Sequence, residues 1–223
     1  TYGHIRDWNV SAVTDMSFAF NDRTTFNEDI SGWDVSNVTD MEKMFKDTQS
    51  FNQDISAWDV SNVKHMDAMF SGASSFNQPI GNWDTSSATY FRNLFNGATS
   101  FNQPIGDWNV SSVWNMRLMF FNAKAFNQDL SAWDVDQVTT MWSMFRDAES
   151  FDQDLSNWQL SEDNVLENMF LNTTALSNTN KALMHTAFSS NSNWPYSSWS
   201  AHVPAPAALT NANFQTAVNL WCT

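Results

Sequence analysis

Apolar residues fall along this chain in columns. Trp8, Trp33, Trp58, Trp83, Trp108, Trp133 and Trp158 stand 25 residues apart, and so do Phe20, Phe45, Phe70, Phe95, Phe120, Phe145 and Phe170. Phe26, Phe51, Phe76, Phe101, Phe126, Phe151 and Leu176 make a third column; Met16, Met41, Met66, Phe91, Met116, Met141 and Leu166 make a fourth. Size is kept down each column where identity changes. A stacked core requires this, because each repeat buries its apolar residues against the same residues of its neighbours.

Within one unit, Val38, Met41, Met44 and Phe45 have the i, i+3, i+6, i+7 spacing of one helix face. Ser36 or Asn37 stands where an N-cap belongs, and Asp40 falls in the first turn, where the helix dipole favours negative charge. Upstream, Trp33 and Val35 alternate as in a short strand bent near Gly32, with Ile30 out of phase. The expected fold is an α/β repeat solenoid, leucine-rich-repeat-like, with about seven 25-residue coils over residues 1–174, each carrying one short strand and one short helix. Helices need more room than strands, so the stack is expected to curve.

The period fails after Leu176. Residues 175–208, rich in Ser, Asn, Ala and Pro and holding Trp194 and Trp199, are expected to cap the last coil, with Leu183, Met184, Ala187 and Phe188 as a buried helix face. Residues 209–223 follow Pro204 and Pro206 and place Phe214, Val218 and Trp221 on one face of a terminal helix.

Two polar columns accompany the apolar ones. Asn27, Asn52, Asn77, Asn102 and Asn127, closing with Asp152, read as an amide ladder bonding turn backbone or as a ladder of cation ligands, the amide ladder being preferred. Asp34, Asp59, Asp84 and Asp134, with Asn109 among them, read as capping residues ahead of metal ligands, since no calcium-loop spacing is present.

Composition narrows the function. Hydrophobic residues make up 42% and aromatics 15%, enough for a core. A formal charge of -14 opposes nucleic acid and anionic membranes, and no stretch has the roughly 20 apolar residues of a membrane span. Thr1-Tyr2-Gly3-His4 is neither an initiator Met nor a signal peptide, so the chain is read as excised from something longer. Cys222, the one cysteine, is a candidate for an intermolecular disulfide. Asn9, Asn37, Asn109 and Asn172 begin sequons that permit N-glycosylation in a secreted protein.

The units Phe51-Asn52-Gln53-Asp54-Ile55-Ser56-Ala57-Trp58-Asp59-Val60-Ser61-Asn62-Val63 and Phe126-Asn127-Gln128-Asp129-Leu130-Ser131-Ala132-Trp133-Asp134-Val135 resemble the BspA-like surface-protein repeat, a bacterial surface protein repeat of similar length. The resemblance covers roughly Ile5 to Leu171. It implies an extracellular or cell-surface setting and a role in adhesion or assembly, with no defined activity. The lead-in to Trp8 and the segment from Leu209 to Phe214 also resemble the starts of such modules, which implies that residues 209–223 begin a following module of an array. Thr85-Ser86-Ser87-Ala88 departs from the repeat and is expected to soften one coil, and Ser161-Glu162-Asp163-Asn164-Val165 replaces its usual turn.

In a repeat protein, function is sought where a surface column breaks its own rule. The column Ser17, Glu42, Asp67, Arg92, Arg117, Trp142, Glu167 does so, and Thr14, Thr39, Lys64, Thr89, Trp114, Thr139 breaks at Trp114. Trp114, Arg117 and Trp142, with Arg92 beside them, are expected to form one patch suited to a sugar ring or a partner's surface; the alternative is cation–π packing without a ligand. A polysaccharide-active enzyme is the third reading. It needs clustered acids or a basic cluster, whereas the acids here lie in columns, the bases are scattered, and His4, His65, His185 and His202 share no spacing. The expectation is therefore a non-catalytic extracellular structural or assembly module needing no cofactor and no metal. Its partners are copies of itself or adjacent modules end to end, or glycans and surface proteins.

Overall fold

In the computed structural model, which describes residues 3–205, the 25-residue period becomes a stack of coils. Cys222 and the expected helix at 209–223 lie outside the described residues. The expected strand and helix in each coil are not there. Among the described residues the α-helical element is α1, Asn178–Phe188; two 3₁₀ helices, Ile5–Asp7 and Ser197–His202, complete the regular structure. Strand pairing is reduced to single-residue parallel bridges, Asp15 to Asp40, Asp40 to His65, and so on to Val165.

Each coil is instead a succession of tight turns. In the coil from Phe51, the amides of Trp58, Val63, Met69, Ser71, Ala73 and Phe76 each donate to the carbonyl three residues back. Between Met66 and Ala73 the alternate amides, those of Ala68, Phe70 and Gly72, donate to Arg92, Leu94 and Asn96 of the next coil at 2.7–3.0 Å. Backbone bonds thus alternate between closing a turn and joining coils. The alternation requires left-handed backbone in two columns, Phe18, Lys43, Ala68, Asn93, Leu118, Ser143, Asn168 and Asp22, Asp47, Gly72, Gly97, Asn122, Asp147, Asn172, all with positive φ, as at the third residue of a type II turn. At Gly72 the constraint is double, since a Cβ would also run into the Asp47 carboxylate.

Coil spacing explains why no helix forms. Phe70 stacks on Phe45 and on Phe95 with ring centroids 5.7 Å apart, and Phe76 on Phe101 at 6.0 Å. Helices side by side need about 8–10 Å, which these stacks do not leave. No helix layer widens one side of the stack, so the expected cause of curvature is absent among the described residues. The segment read as a bent strand forms turns, Trp33 to Ile30 and Val38 to Val35, and Ile30 is buried with Trp33 and Val35.

Beyond Phe26 the apolar columns are buried: Ile30, Val38, Met41, Met44, Phe45 and Phe51 have no exposed surface. In the tryptophan column each indole from Trp33 through Trp58, Trp83, Trp108 and Trp133 to Trp158 donates to a carbonyl of the preceding coil, as Trp108 does to Ile80 at 3.0 Å. Thr85 and Ser87 do not soften their coil. Thr85 is fully buried and bonds the Asn109 carbonyl, and Ser87 bonds that of Ser61.

The last coil is covered by α1 and the segment after it. The Tyr196 hydroxyl accepts the Phe170 amide bond at 2.6 Å, the role that the Met169 carbonyl has for Phe145 one coil earlier, and Trp199 packs 5.6 Å from the Phe170 ring. Burial raises the Tyr196 phenol to about 12. Asn180 donates to the Asp152 carbonyl and side chain as Gln153 does to Asn127. The Ser161–Val165 departure serves this docking: Asn191 and Asn193 bond the Ser161 and Glu162 carbonyls, and Ser192 bonds the Glu162 carboxylate. In α1 the buried residues are Ala182, Met184 and Phe188, whereas Leu183 and Ala187 face outward, contrary to the expected face. At the opposite end Phe20 and Phe26 are only partly buried, and Trp8 stays 41% exposed while stacking on Trp33 at 6.4 Å.

Candidate recognition site

The bridge column Asp15, Asp40, His65, Tyr90, Asn115, Thr140, Val165 runs along one side of the stack, between the two columns that carry Trp114 and Arg117. Backbone bonds hold all three in register: Thr139 donates to Trp114, Trp114 to Thr89, Asn93 to Arg117 and Leu118 to Trp142. Neighbouring positions in a column are therefore one coil apart, about 4.8 Å along the stack.

Two pairs form on this side. The Arg117 guanidinium lies over the Trp142 ring, 4.5 Å from its centroid. Trp114, 40% exposed, meets Tyr90 edge-on at 4.6 Å, and Tyr90 stacks on His65 at 5.8 Å. Arg92 is directed at Asp67, its Nε 3.9 Å from Oδ1. The expected single patch is thus resolved into Arg117 with Trp142 and Trp114 with Tyr90, Arg92 standing by a carboxylate. Trp114 and Arg117 are three residues apart on tight turns rather than on a helix. The sequence reading missed Tyr90 and His65, because their column has no constant residue whose loss would draw notice.

Asp67 is the buried acid of the site. Burial raises its carboxyl above the ordinary range, opposed by the charge of Arg92. A rigid frame of turns holding aromatic faces beside guanidinium groups offers stacking and charge-assisted hydrogen bonds to a ligand.

The polar columns are occupied by backbone. Asn27 Oδ1 accepts the Asn52 amide and the Gln53 side chain reaches the Asn27 carbonyl, a pattern continued through Asn127. Asp34, Asp59, Asp84, Asn109 and Asp134 each accept the amide two residues on. Among the described residues no three His, Cys, Asp or Glu side chains group to hold a metal ion. Of the sequons, Asn37 and Asn172 use the amide nitrogen that a glycan would occupy, donating to Ser11 and Asp147, whereas Asn9 and Asn109 are exposed and use only the amide oxygen.

The family described as "Mycoplasma protein of unknown function, DUF285" matches residues 1–91 and again residues 78–183. No curated protein gives a significant match, and no solved structure does.

Proposed function

The chain belongs to the DUF285 family, and we propose that it is a non-catalytic extracellular recognition module that binds a glycan or protein surface through the side carrying Tyr90, Trp114, Arg117 and Trp142. The single observation behind this is the departure of Trp114, Arg117 and Trp142 from their columns: Thr, acid and small polar residues give way in adjacent coils to a guanidinium over an indole and to an indole that meets the Tyr90 phenol. Large aromatic side chains left partly in water on a rigid frame suit stacking against a sugar ring or a partner's hot spot. The BspA-like resemblance and the exposed sequons Asn9 and Asn109 favour the extracellular setting.

Trp114→Ala with Trp142→Ala is expected to abolish binding to whichever glycan or surface protein an array identifies, with the circular dichroism of the fold unchanged. Binding that survives the double substitution overturns the proposal. End-to-end assembly is the second reading. It is favoured by the first coil, whose Ile5, Val13, Phe20 and Phe26 are less buried than the residues that follow them in the same columns.

A further inference from the structure

We propose that the ligand of this side is an acidic polysaccharide, one bearing carboxylate or sulfate groups on its sugars, with Arg92, Arg117 and Lys64 as its charge contacts. This rests on the recognition reading above and names its ligand class.

Arg92 and Arg117 occupy one column in adjacent coils, joined through the bond from the Asn93 amide to the Arg117 carbonyl. Like charges placed opposite each other across such a ladder destabilise it; within the fold Arg92 is answered by Asp67 at 3.9 Å and Arg117 by the Trp142 ring. The chain has ten basic residues against 24 acidic ones. Elsewhere a basic residue usually lies by a carboxylate: Lys43 by Glu42, Lys46 by Asp47, Lys124 by Glu149 and Arg146 by Asp147. Among the described residues no ion pair holds Lys64 or Arg117, nor Arg6, Arg23 or Lys181 elsewhere, and Arg92 reaches Asp67 only at 3.9 Å; Lys64, Arg92 and Arg117 differ from the others in falling within three adjacent coils.

In the sequence the bases look scattered; the coil register gathers these three on one side. The same side carries Asp40, Glu42 and Glu167 in the coils beyond, and the buried Asp67 lies within the stretch beside Arg92, so the basic groups are bounded at both ends. Trp114, 40% exposed, interleaves with them and offers indole surface against which a pyranose ring packs, while Tyr90 and Trp142 are already covered on one side by His65 and Arg117. A guanidinium matches a carboxylate or sulfate bidentately. Duplex nucleic acid carries a charge every ~1.7 Å, far closer than the spacing of basic residues in adjacent coils. A uronan carries at most one charge per sugar and spaces the charges by a pyranose length, close to the coil pitch.

The test uses the whole chain in isothermal titration with polygalacturonate, a sulfated dextran, neutral dextran and single-stranded DNA. Binding is expected for one or both acidic polysaccharides and not for neutral dextran or DNA. Arg92→Gln with Arg117→Gln should weaken it at least about tenfold, the size of one lost charge-assisted hydrogen bond. Lys124→Gln, remote from the site, should leave it unchanged. Equal binding of DNA, absence of binding to both acidic polysaccharides, or affinity indifferent to the arginine pair each overturns the acidic-ligand assignment. If a neutral glycan or a protein then binds and depends on Trp114 and Trp142, the recognition reading stands without it; if nothing depends on those two residues, both fall.

Discussion

Ser143→Gly separates stacked turns from helices by the sign of its effect. Ser143 is fully buried, its φ is +54°, and its hydroxyl has no protein hydrogen-bond partner. A left-handed conformation costs an L-residue about 1–2 kcal/mol that glycine does not bear, and glycine's greater freedom in the unfolded chain returns about 0.5–1 kcal/mol. Removing a buried hydroxyl without a partner adds about 1–3 kcal/mol. The variant should therefore be more stable by about 2 kcal/mol, raising Tm by about 4–8 °C for a chain of this size. In a helix interior the same change would destabilise by a few tenths of a kcal/mol, because glycine is the poorer helix former. Guanidinium titration followed by Trp fluorescence measures the difference. A loss of stability would refute the turn geometry at this column.

Phe95→Ala, in a ring stack with Phe70, Phe101 and Phe120, should cost about 3–5 kcal/mol, and Phe20→Ala in the less buried first coil clearly less; equal losses in thermal unfolding would contradict the burial gradient. Trp108→Phe removes one of the two donors to the Ile80 carbonyl, which keeps the Trp83 amide, and should cost about 0.5–1.5 kcal/mol, read from the same titration; a neutral effect would mean that the indole bond is dispensable. The carboxyls of Asp15, Asp29, Asp34, Asp54 and Asp84 are held below 3.8, first by the hydroxyl of the Ser two residues on and then by its amide. The folded chain binds fewer protons there than the unfolded one, so this stabilisation is complete above pH 3.8 and is lost as pH falls through the lowered folded values. The denaturation midpoint should drop as pH falls below about 4, less so in D34N/D84N, and a flat profile in the parent chain would refute the capping role.

The repeat and the identity of its inward columns were legible because a buried column must keep its size. Conformation was not. Val38, Met41 and Met44 recur every three residues, and consecutive turns closed by i to i−3 bonds present the same spacing as a helix face. One column did carry the answer: Asp22, Asp47, Gly72, Gly97, Asn122, Asp147 and Asn172 are all residues that tolerate positive φ. Its partner column, with Phe18, Lys43, Leu118 and Ser143, gave no such signal, since there the ladder between coils imposes the conformation against local preference. In the recognition site Trp114, Arg117 and Trp142 stood out as breaks in their columns. Tyr90 did not, because the bridge column is held by backbone bonds and accepts Asp, His, Asn, Thr or Val equally.

The lateral site exists only because the coils are stacked at strand-like spacing where the sequence suggested helices. Spin labels at Thr14→Cys and Thr139→Cys in a Cys222→Ser background, two exposed positions of one column separated by five coils, measure that spacing by pulsed electron paramagnetic resonance. Stacked turns predict a distance of about 24 Å between the labelled backbones, whereas about 40–50 Å, the span of six helices side by side, would contradict the account.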